Sequence, residues 1–333
     1  MTEVTEPVEQ ALRLGRRACP AGWLPNTMKI EIVAFSFSCL IILLLGVAAH
    51  GQQVADPYFD AKVENPAFTK NFPRVLFDEA HNNIDNTHGR YKPFADLLFN
   101  DGYHLAVNRQ PFTKASLQSF KILVIANPLA TDDMDDEGAD GPAFTPEECD
   151  AVNDWVRDGG ALLFIIDPAP FASAAEVLAT RFGVDMSKRE TIDPANGDKE
   201  LNTPGLIVYS RQNRLLGEHS ITNGRNAAER VNRVIVFGGQ SFKGPSGNDG
   251  VLKLAETAEE NIPSPGKTTS AAGRAQGTAF RLGKGRVVML GDAAMLTAQV
   301  TGTNNKPFGM NVPDTDNRQL ALNIMHWLSG LLK

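Results

Sequence analysis

An acidic pair followed closely by a histidine, Asp78-Glu79-Ala80-His81, is the run of this chain most suggestive of chemistry. The same four letters occur in nucleotide hydrolases, where the acidic pair holds Mg²⁺ beside a phosphate-binding loop. Such a loop needs the pattern G-x-x-x-x-G-K-[ST]. The nearest candidate is Gly266-Lys267-Thr268, but position 261 is Asn instead of Gly and no apolar strand precedes it. The sequence therefore argues against an ATPase.

Five polar residues at this point could instead contact a ligand, since they offer hydrogen-bond donors and acceptors directly after an apolar stretch. They are Asp78, Glu79, His81, Asn82 and Asn83. The alternative is a capped turn between a strand and a helix, in which Asp and Asn side chains bind free backbone amides. The residues favour neither interpretation over the other. His81 with Asp85 and His88 could also hold a metal, but their spacing fits no metal-site pattern, so no metal is predicted.

No arrangement for nucleophilic catalysis is present in the sequence. The pattern G-x-S-x-G is absent, and Cys149 falls inside a helical stretch three residues before Val152. Ser173 follows Asp167 without the glycines of a nucleophile elbow. The acidic stretch 132–140 lacks the alternating spacing and closing Glu of a calcium loop, so we interpret it as a solvated loop. No catalytic residue and no cofactor are predicted.

Apolar strands and amphipathic helices alternate along the chain and must position these polar residues. Apolar runs predict strands at 75–77, 103–107, 122–126, 161–166, 206–210, 234–237, 277–282 and 286–290. Helical spacing predicts helices at 91–100, 146–158, about 173–182 and 317–332. Thr145 fits the N-cap of the second helix, with Pro146 and Glu148 in its first turn. The alternation is typical of an α/β domain with a doubly wound, mostly parallel sheet.

Polar residues stand where several of the predicted strands end, and ligands of such sheets bind beyond the carboxyl ends of the strands. These residues are 78–83, Asn127, Asp167 and Asp292. We expect them to converge on one edge of the sheet. Two of the carboxylates could then act together on a glycosidic bond, although the sequence does not fix their separation. The convergence predicts the place of a site and not its reaction.

The composition is that of a globular protein and excludes some partners. Hydrophobic residues make up 42% and charged residues 21% of the 333 residues, and the formal net charge is −7. This acidic balance, without a basic stripe, argues against nucleic acid as a partner. Of the three cysteines, Cys19 and Cys39 lie before or within an apolar leader. Only Cys149 would remain after processing, so neither an internal disulfide nor a zinc site is predicted.

An uncharged apolar run at 33–49, followed by small residues, predicts that 28–51 is a signal peptide or a signal anchor. Residues 1–27 are interpreted as unstructured, or as lying upstream of the true start at Met28. Basic residues before the run favour a cytoplasmic N-terminus. We therefore expect the rest of the chain outside the cytoplasm, periplasmic or secreted. If the leader is not cleaved, residues 30–49 would be its only membrane contact.

The remaining chain is divided by composition. Residues 52–72 are polar and contain proline, which predicts an extended arm. Residues 73–333 form the predicted α/β domain. Within it, 187–230 is rich in turn residues and reads as an insertion or small subdomain. Residues 241–276 are rich in Gly, Ser, Pro and Ala, which predicts a long mobile loop.

An ordered set of segments resembles a family of exported bacterial proteins of unknown function. The segments read VLFDEAHNN, GRYKPFADLLFNDGY, ILVIANPL, FTPEECDAVNDWVRDGGALLFIID, GKGRVVMLGDAAMLTAQ and DNRQLALNIMHWLSGLL. The family belongs to the class I glutamine-amidotransferase-like superfamily and is related to gliding-motility ABC-transporter auxiliary proteins and an intraflagellar-transport subunit. The resemblance covers about residues 53–333 and implies a flavodoxin-like sheet with helices on both faces.

The resemblance does not imply glutamine hydrolysis. Where an amidotransferase has its nucleophilic Cys, this chain has Asp167-Pro168, and Gly291-Asp292-Ala293 stands in place of His-Pro-Glu. We therefore expect a non-catalytic binding domain outside the cytoplasm, with a carbohydrate or envelope glycan as ligand. The candidate contacts are Asp78, Glu79, His81, Asn82, Asn83, Asp167 and Asp292. The alternatives are a carboxylate-based glycan hydrolase and an accessory protein that binds a membrane transporter.

Overall fold

The computed structural model describes residues 53–198, 205–246, 250–262, 266–302 and 304–333. The predicted leader 28–51 and the segment 1–27 lie outside them. The strands are β1 Val54–Ala55, β2 Arg74–Asp78, β3 His104–Asn108, β4 Ile122–Ala126, β5 Ala161–Ile165, β6 Asp185–Met186, β7 Thr191–Ile192, β8 Leu206–Ser210, β9 Arg233–Phe237, β10 Phe242–Lys243, β11 Gly250–Lys253, β12 Glu259–Asn261, β13 Thr268–Ser270, β14 Ala275–Leu282, β15 Gly285–Leu290, β16 Ala298–Thr301 and β17 Lys306–Gly309. The helices are α1 Lys92–Asn100, α2 Lys114–Leu117, α3 Pro146–Arg157, α4 Phe171–Ala179, α5 Ser220–Asn223 and α6 Asn317–Ser329.

The central sheet has nine strands and is mixed. Its order is β3-β2-β4-β5-β15-β14-β10-β6, and β11 also pairs with β14. The first five strands are parallel to one another, whereas β14 pairs with β15, β10 and β11 in antiparallel fashion, and β10 pairs with β6 in the same way. Counted along the chain, the parallel strands have the order 2-1-3-4-5, which is that of flavodoxin-like proteins. The predicted doubly wound α/β fold is confirmed.

Both faces of the parallel strands are buried beneath helices. On β5, Leu163 and Ile165 belong to the hydrophobic cluster that contains residues of α1 and α6. Leu162 and Phe164 belong to the opposite cluster, which contains residues of α2, α3 and α4. Successive strand residues point to opposite faces, so a strand covered on both faces needs a continuous apolar run. This requirement explains why the runs at 122–126 and 161–166 were readable as strands.

Helix α3 begins where the sequence predicts, with a complete capping box. Thr145 Oγ1 accepts a hydrogen bond from the Glu148 amide, and the Glu148 carboxylate accepts one from the Thr145 amide. Pro146 occupies the first turn. The two side chains therefore satisfy amides that the helix itself leaves without partners.

Thr145→Ala is expected to lower the free energy of unfolding by about 1 kcal/mol, because it removes the N-cap acceptor. Urea denaturation of both proteins would measure the change. Thr269→Ala, at an exposed position of β13, is the matched control and should change stability by less than about 0.5 kcal/mol. Equal losses in the two variants would contradict a specific capping role.

The stretch 241–276, predicted as one long loop, contains four short strands in its described part. Strands β10 and β11 join the central sheet, whereas β12 and β13 pair with β7. Phe242, Val251 and Leu252 are buried. The prediction of a structureless loop was wrong because existing sheet edges supply hydrogen-bond partners to a backbone of low strand propensity. Local composition does not reveal such partners.

In the described residues, two small sheets accompany the central one besides the β13-β12-β7 sheet. Strands β8 and β9 form an antiparallel pair, so the strands predicted at 206–210 and 234–237 lie outside the central sheet. Strand β1, at the start of the predicted arm, pairs with β16, which also pairs with β17. No helix in the described ranges combines the length and the apolar character needed to cross a bilayer.

Candidate functional site

The histidine predicted as a ligand contact lies in a buried cluster of its own, formed by Asp78, His81 and Glu148 (the His81 cluster). His81 Nδ1 lies 2.8 Å from Asp78 Oδ2, and Nε2 lies 2.9 Å from Glu148 Oε1. Asp78 is at the carboxyl end of β2 and Glu148 is in the first turn of α3. Since carboxylates only accept hydrogen bonds, both ring nitrogens must donate, which requires the imidazolium form.

The environment of the His81 cluster favours its charged forms. Burial lowers the pKa of His81, but the hydrogen bonds and charges of Asp78 and Glu148 outweigh it and raise that pKa above 6.5. Burial raises the pKa of Glu148, but hydrogen bonds from Thr145, His81 and the Phe112 amide outweigh it and lower that pKa. The rings of Phe112 and Phe144 pack against the imidazole, with centroid distances of 4.7 and 4.6 Å. The cluster therefore joins the β2–α1 loop to α3.

The other polar residues of 78–83 make contacts typical of a capped turn. Asn83 donates to the carbonyl of Ala126, and its side-chain oxygen accepts from the His81 amide. Glu79 accepts from the amide and hydroxyl of Thr87. Asn82 is exposed and has a φ of 48°, in the left-handed region that Asn tolerates. Of the two interpretations left open by the sequence, these contacts favour the capped turn.

Both ring nitrogens of His81 are engaged with carboxylates. Asp85, the second residue considered for a metal site, lies in a different cluster, described below. No group of three His, Cys, Asp or Glu side chains within the described ranges is arranged to hold a metal ion.

A cavity of about 320 Å³ opens over the carboxyl ends of β5 and β15 and holds a second group of carboxyls. We call it the carboxyl pocket. Its polar lining consists of Gln53, Asp85, Arg90, Asp167, Glu190, Asp292, Thr297 and Gln299, and its aromatic lining of Phe171, Phe237 and Phe308. Strand ends, the β2–α1 loop and the small sheet β1-β16-β17 all contribute residues to it.

Asn127, directly after β4, ties two of these carboxyls together. Its Nδ2 donates to Asp85 Oδ2 and to Asp167 Oδ2, each at 2.8 Å. The two oxygens can therefore be no farther apart than twice that distance. Asn127 Oδ1 accepts from the Asp167 amide at 2.8 Å. Its φ of 43° is one that Asn adopts more readily than most residues, which suits it to the end of the strand.

Asp292, directly after β15, is held by backbone amides beside Asp167. Its two oxygens accept hydrogen bonds from the amides of Phe237 and Ala294, at 2.8 and 2.9 Å. Asp167 Oδ1 accepts from the amide of Ala293, the residue next to Asp292, at 2.8 Å. The two carboxyls that the sequence predicts at this edge are therefore brought into one site.

Three carboxyls of the pocket have pKa values above those of exposed aspartates. Burial, together with the charge of Asp167, raises the pKa of Asp85 to about 6, although Arg90 and Asn127 oppose the shift. Burial and the charge of Asp167 also raise the pKa of Asp292 to about 8. Burial raises the pKa of Asp167 itself. The guanidinium of Arg90 is 3.9 Å from Asp85. Burial and the charge of Asp167 thus disfavour the ionised forms of these carboxyls, and a cation bound among them would favour those forms.

The structure separates the predicted site residues into two groups. Asp167 and Asp292 line the carboxyl pocket, whereas Asp78 and His81 belong to the His81 cluster, and Glu79, Asn82 and Asn83 shape the turn. Sequence reasoning missed Asp85, Arg90 and Gln299 as members of the pocket. Asp85 and Arg90 lie in the β2–α1 loop, whereas Gln299 lies in β16, which follows the last strand of the central sheet. No sequence motif connects the three residues.

Comparison with solved structures places the fold among known ones. The mmIFT52 N-terminal domain is 15% identical, with a TM-score of 0.56, and the match covers 77% of this chain and 97% of that domain. A ThuA-like protein from Bacteroides uniformis is 12% identical (TM-score 0.37; 80% and 93% covered). A cytoplasmic protein from Salmonella typhimurium is 15% identical (TM-score 0.40; 78% and 100% covered). No family model matches the chain, and no curated protein matches it either.

At these identities the likeness is one of fold. Only the mmIFT52 N-terminal domain, among these three structures, has a TM-score above 0.5, so membership of the class I glutamine-amidotransferase-like superfamily stays a prediction. The relation to gliding-motility proteins and the export of the chain stay predictions.

The only cysteine in the described ranges, Cys149, is buried in α3, where burial raises the pKa of its thiol to about 11. It is therefore protonated and unreactive at neutral pH.

Proposed function

We propose that this chain is a carbohydrate-binding domain that acts outside the cytoplasm, with its ligand in the carboxyl pocket. The observation that supports this proposal is the convergence of four carboxyls and three phenyl rings at the carboxyl edge of a parallel sheet, where such folds bind ligands. The location is proposed from the apolar run at 33–49.

The lining of the pocket is suited to a sugar because a pyranose has both polar edges and apolar faces. The carboxyl oxygens can accept hydrogen bonds from neighbouring hydroxyl groups. Phe237 and Phe308 lie side by side, with ring centroids 4.3 Å apart, and offer an apolar surface to the C–H groups of the ring. A volume of about 320 Å³ falls at the lower end of the range typical of small-molecule sites.

A glycan hydrolase is the second candidate, favoured by the closeness of Asp85 and Asp167. Retaining glycosidases use carboxyl groups about 5–5.5 Å apart, one protonated and one ionised. Such carboxyls must flank the scissile bond. Here the amide nitrogen of Asn127 donates to both and lies 2.8 Å from each, near the space that a scissile bond would need between them. Binding without turnover therefore agrees better with this geometry.

The test is a thermal-shift screen of the full chain, purified in a mild detergent, against a panel of glycan fragments. One class of fragment should raise the melting temperature. The variant Asp85→Asn should then bind that fragment roughly tenfold more weakly or worse, since it removes an acceptor in a buried site. Asp132→Asn, in the exposed acidic loop, is the matched control and should bind as the wild type does.

Failure of every glycan to bind would remove the proposal. Release of shortened glycan that is lost in Asp85→Asn would replace it with the hydrolase. Stabilisation that is unchanged in Asp85→Asn would place the carbohydrate site elsewhere on the chain.

A further inference from the structure

Gln299 on β16 has a buried side-chain oxygen without a hydrogen-bond partner. The residue is 2% exposed and lines the carboxyl pocket. Its Nε2 donates to Thr297 Oγ1 at 2.7 Å, but no group in the described part of the chain donates to its Oε1. Buried acceptors are satisfied in most proteins, so an orphaned one beside a cavity indicates a missing donor.

The orientation of this amide follows from its neighbour. The hydroxyl of Thr297 donates to the carbonyl of Ala294 at 2.8 Å, which uses its single proton. Thr297 Oγ1 can therefore only accept from Gln299, and the atom facing it must be the amide nitrogen. The oxygen of Gln299 is thus the group left for a ligand.

Acceptors outnumber donors around the pocket. Among the described residues, the ionisable groups that line it are the carboxyls Asp85, Asp167, Asp292 and Glu190 and one guanidinium, that of Arg90. Glu190 already accepts from Asn261 at 2.9 Å. Arg90 faces Asp85 at 3.9 Å, a distance too long for a direct hydrogen bond. The lining therefore fits a ligand that carries several donors and a positive charge.

We infer that the carbohydrate bound in the carboxyl pocket is an amino sugar with a free, protonated amine, whose donors reach the carboxyls and Gln299. This inference rests on the proposed function and names the class of its ligand. An ammonium group has three donors and no acceptor, which complements a lining of carboxyl and amide oxygens. Its charge would interact strongly there, because the carboxyls are screened from water.

Three β-1,4-linked tetrasaccharides test the inference, since their backbones differ only at carbon 2. They are built from glucosamine, N-acetylglucosamine and glucose. Isothermal titration of the full chain should show that the glucosamine tetramer binds at least tenfold more tightly than the other two. The excess should persist in 0.3 M salt, because a buried ion pair is screened much less than a surface one. The control Asp132→Asn should preserve it.

The outcomes separate the inference from the proposed function. Equal binding of all three tetramers, or tighter binding of the neutral ones, would contradict an amino-sugar ligand. The proposed carbohydrate-binding function would remain. No binding of any tetramer would count against both. If the preference for glucosamine disappears in 0.3 M salt, the preference comes from the acidic surface of the protein. This result would also overturn the inference.

Gln299→Met separates a ligand contact from a structural role. Methionine keeps the length of the side chain and removes the orphaned oxygen. The melting temperature of the free variant should equal or exceed that of the wild type, whereas its affinity for the glucosamine tetramer should fall about tenfold. Gln118→Met, at an exposed position, should change neither quantity. A lower melting temperature with unchanged affinity would show that Gln299 serves the fold and not the ligand.

Discussion

Replacing His81 with alanine is expected to lower the free energy of unfolding by about 3–5 kcal/mol, the effect typical of breaking a buried ion pair. The substitution leaves Asp78 and Glu148, each less than a tenth exposed, without the donor between them. It also opens a gap between the rings of Phe112 and Phe144. The change would be measured by urea denaturation at pH 6.

His88→Ala provides the matched control, because His88 lies in the same loop and is exposed. This substitution should change stability by no more than about 0.5 kcal/mol. A loss below about 1 kcal/mol for His81→Ala would contradict the assignment of the His81 cluster as a structural tie.

The difference between wild type and His81→Ala should depend on pH. Since the pKa of His81 is raised on folding, its contribution is complete below pH 6.5 and is lost as pH rises through the folded value. Since the pKa of Glu148 is lowered on folding, its contribution is complete above pH 4.5 and is lost as pH falls through the folded value. Both contributions are complete between pH 4.5 and 6.5. The difference in the free energy of unfolding between the wild type and His81→Ala should therefore be largest in this range.

The elements of the parallel half of the sheet could be predicted because each carries its own local signal. The runs at 122–126 and 161–166 are apolar at every position, and Thr145, Pro146 and Glu148 mark the start of α3. Apart from β14, the antiparallel half could not be predicted in the same way. Strands such as β10 and β12 are two or three residues long and exist because a sheet edge already lies beside them.

The location of the candidate site could be predicted from the sequence, but the full set of residues that form it could not. Parallel strands end at one edge, so Asp167 and Asp292 had to approach each other. The same rule could not show that His81 turns toward α3, because its partner Glu148 is 67 residues away and reads simply as a capping residue. Nor could the rule show that Asp85 belongs to the site, because the path of the β2–α1 loop brings this residue to Asn127. Side-chain partners across such distances depend on packing that periodicity does not encode.

Asp85→Asn is expected to make the free protein more stable than the wild type at and above pH 7. Burial raises the pKa of Asp85 on folding to about 6, so the folded state binds its proton more tightly than the unfolded state does. The contribution of this group is therefore complete below about pH 4 and is lost as pH rises to about 6. Over that range the loss amounts to about 3 kcal/mol. Asparagine cannot ionise, and its oxygen can still accept from Asn127.

Denaturation of both proteins at pH 4, 5, 6, 7 and 8 would give the difference directly, because contributions from all other groups cancel to first order. The difference should shift in favour of Asp85→Asn between pH 4 and 6 and then stay level, and Asp132→Asn should show no such shift. Parallel curves across the range would mean that folding does not raise the pKa of Asp85. If the variant is more stable at pH 7 but binds its glycan less well, the Asp85 carboxyl lowers the free energy of unfolding and increases the affinity for the ligand. Groups in ligand sites often have these opposite effects.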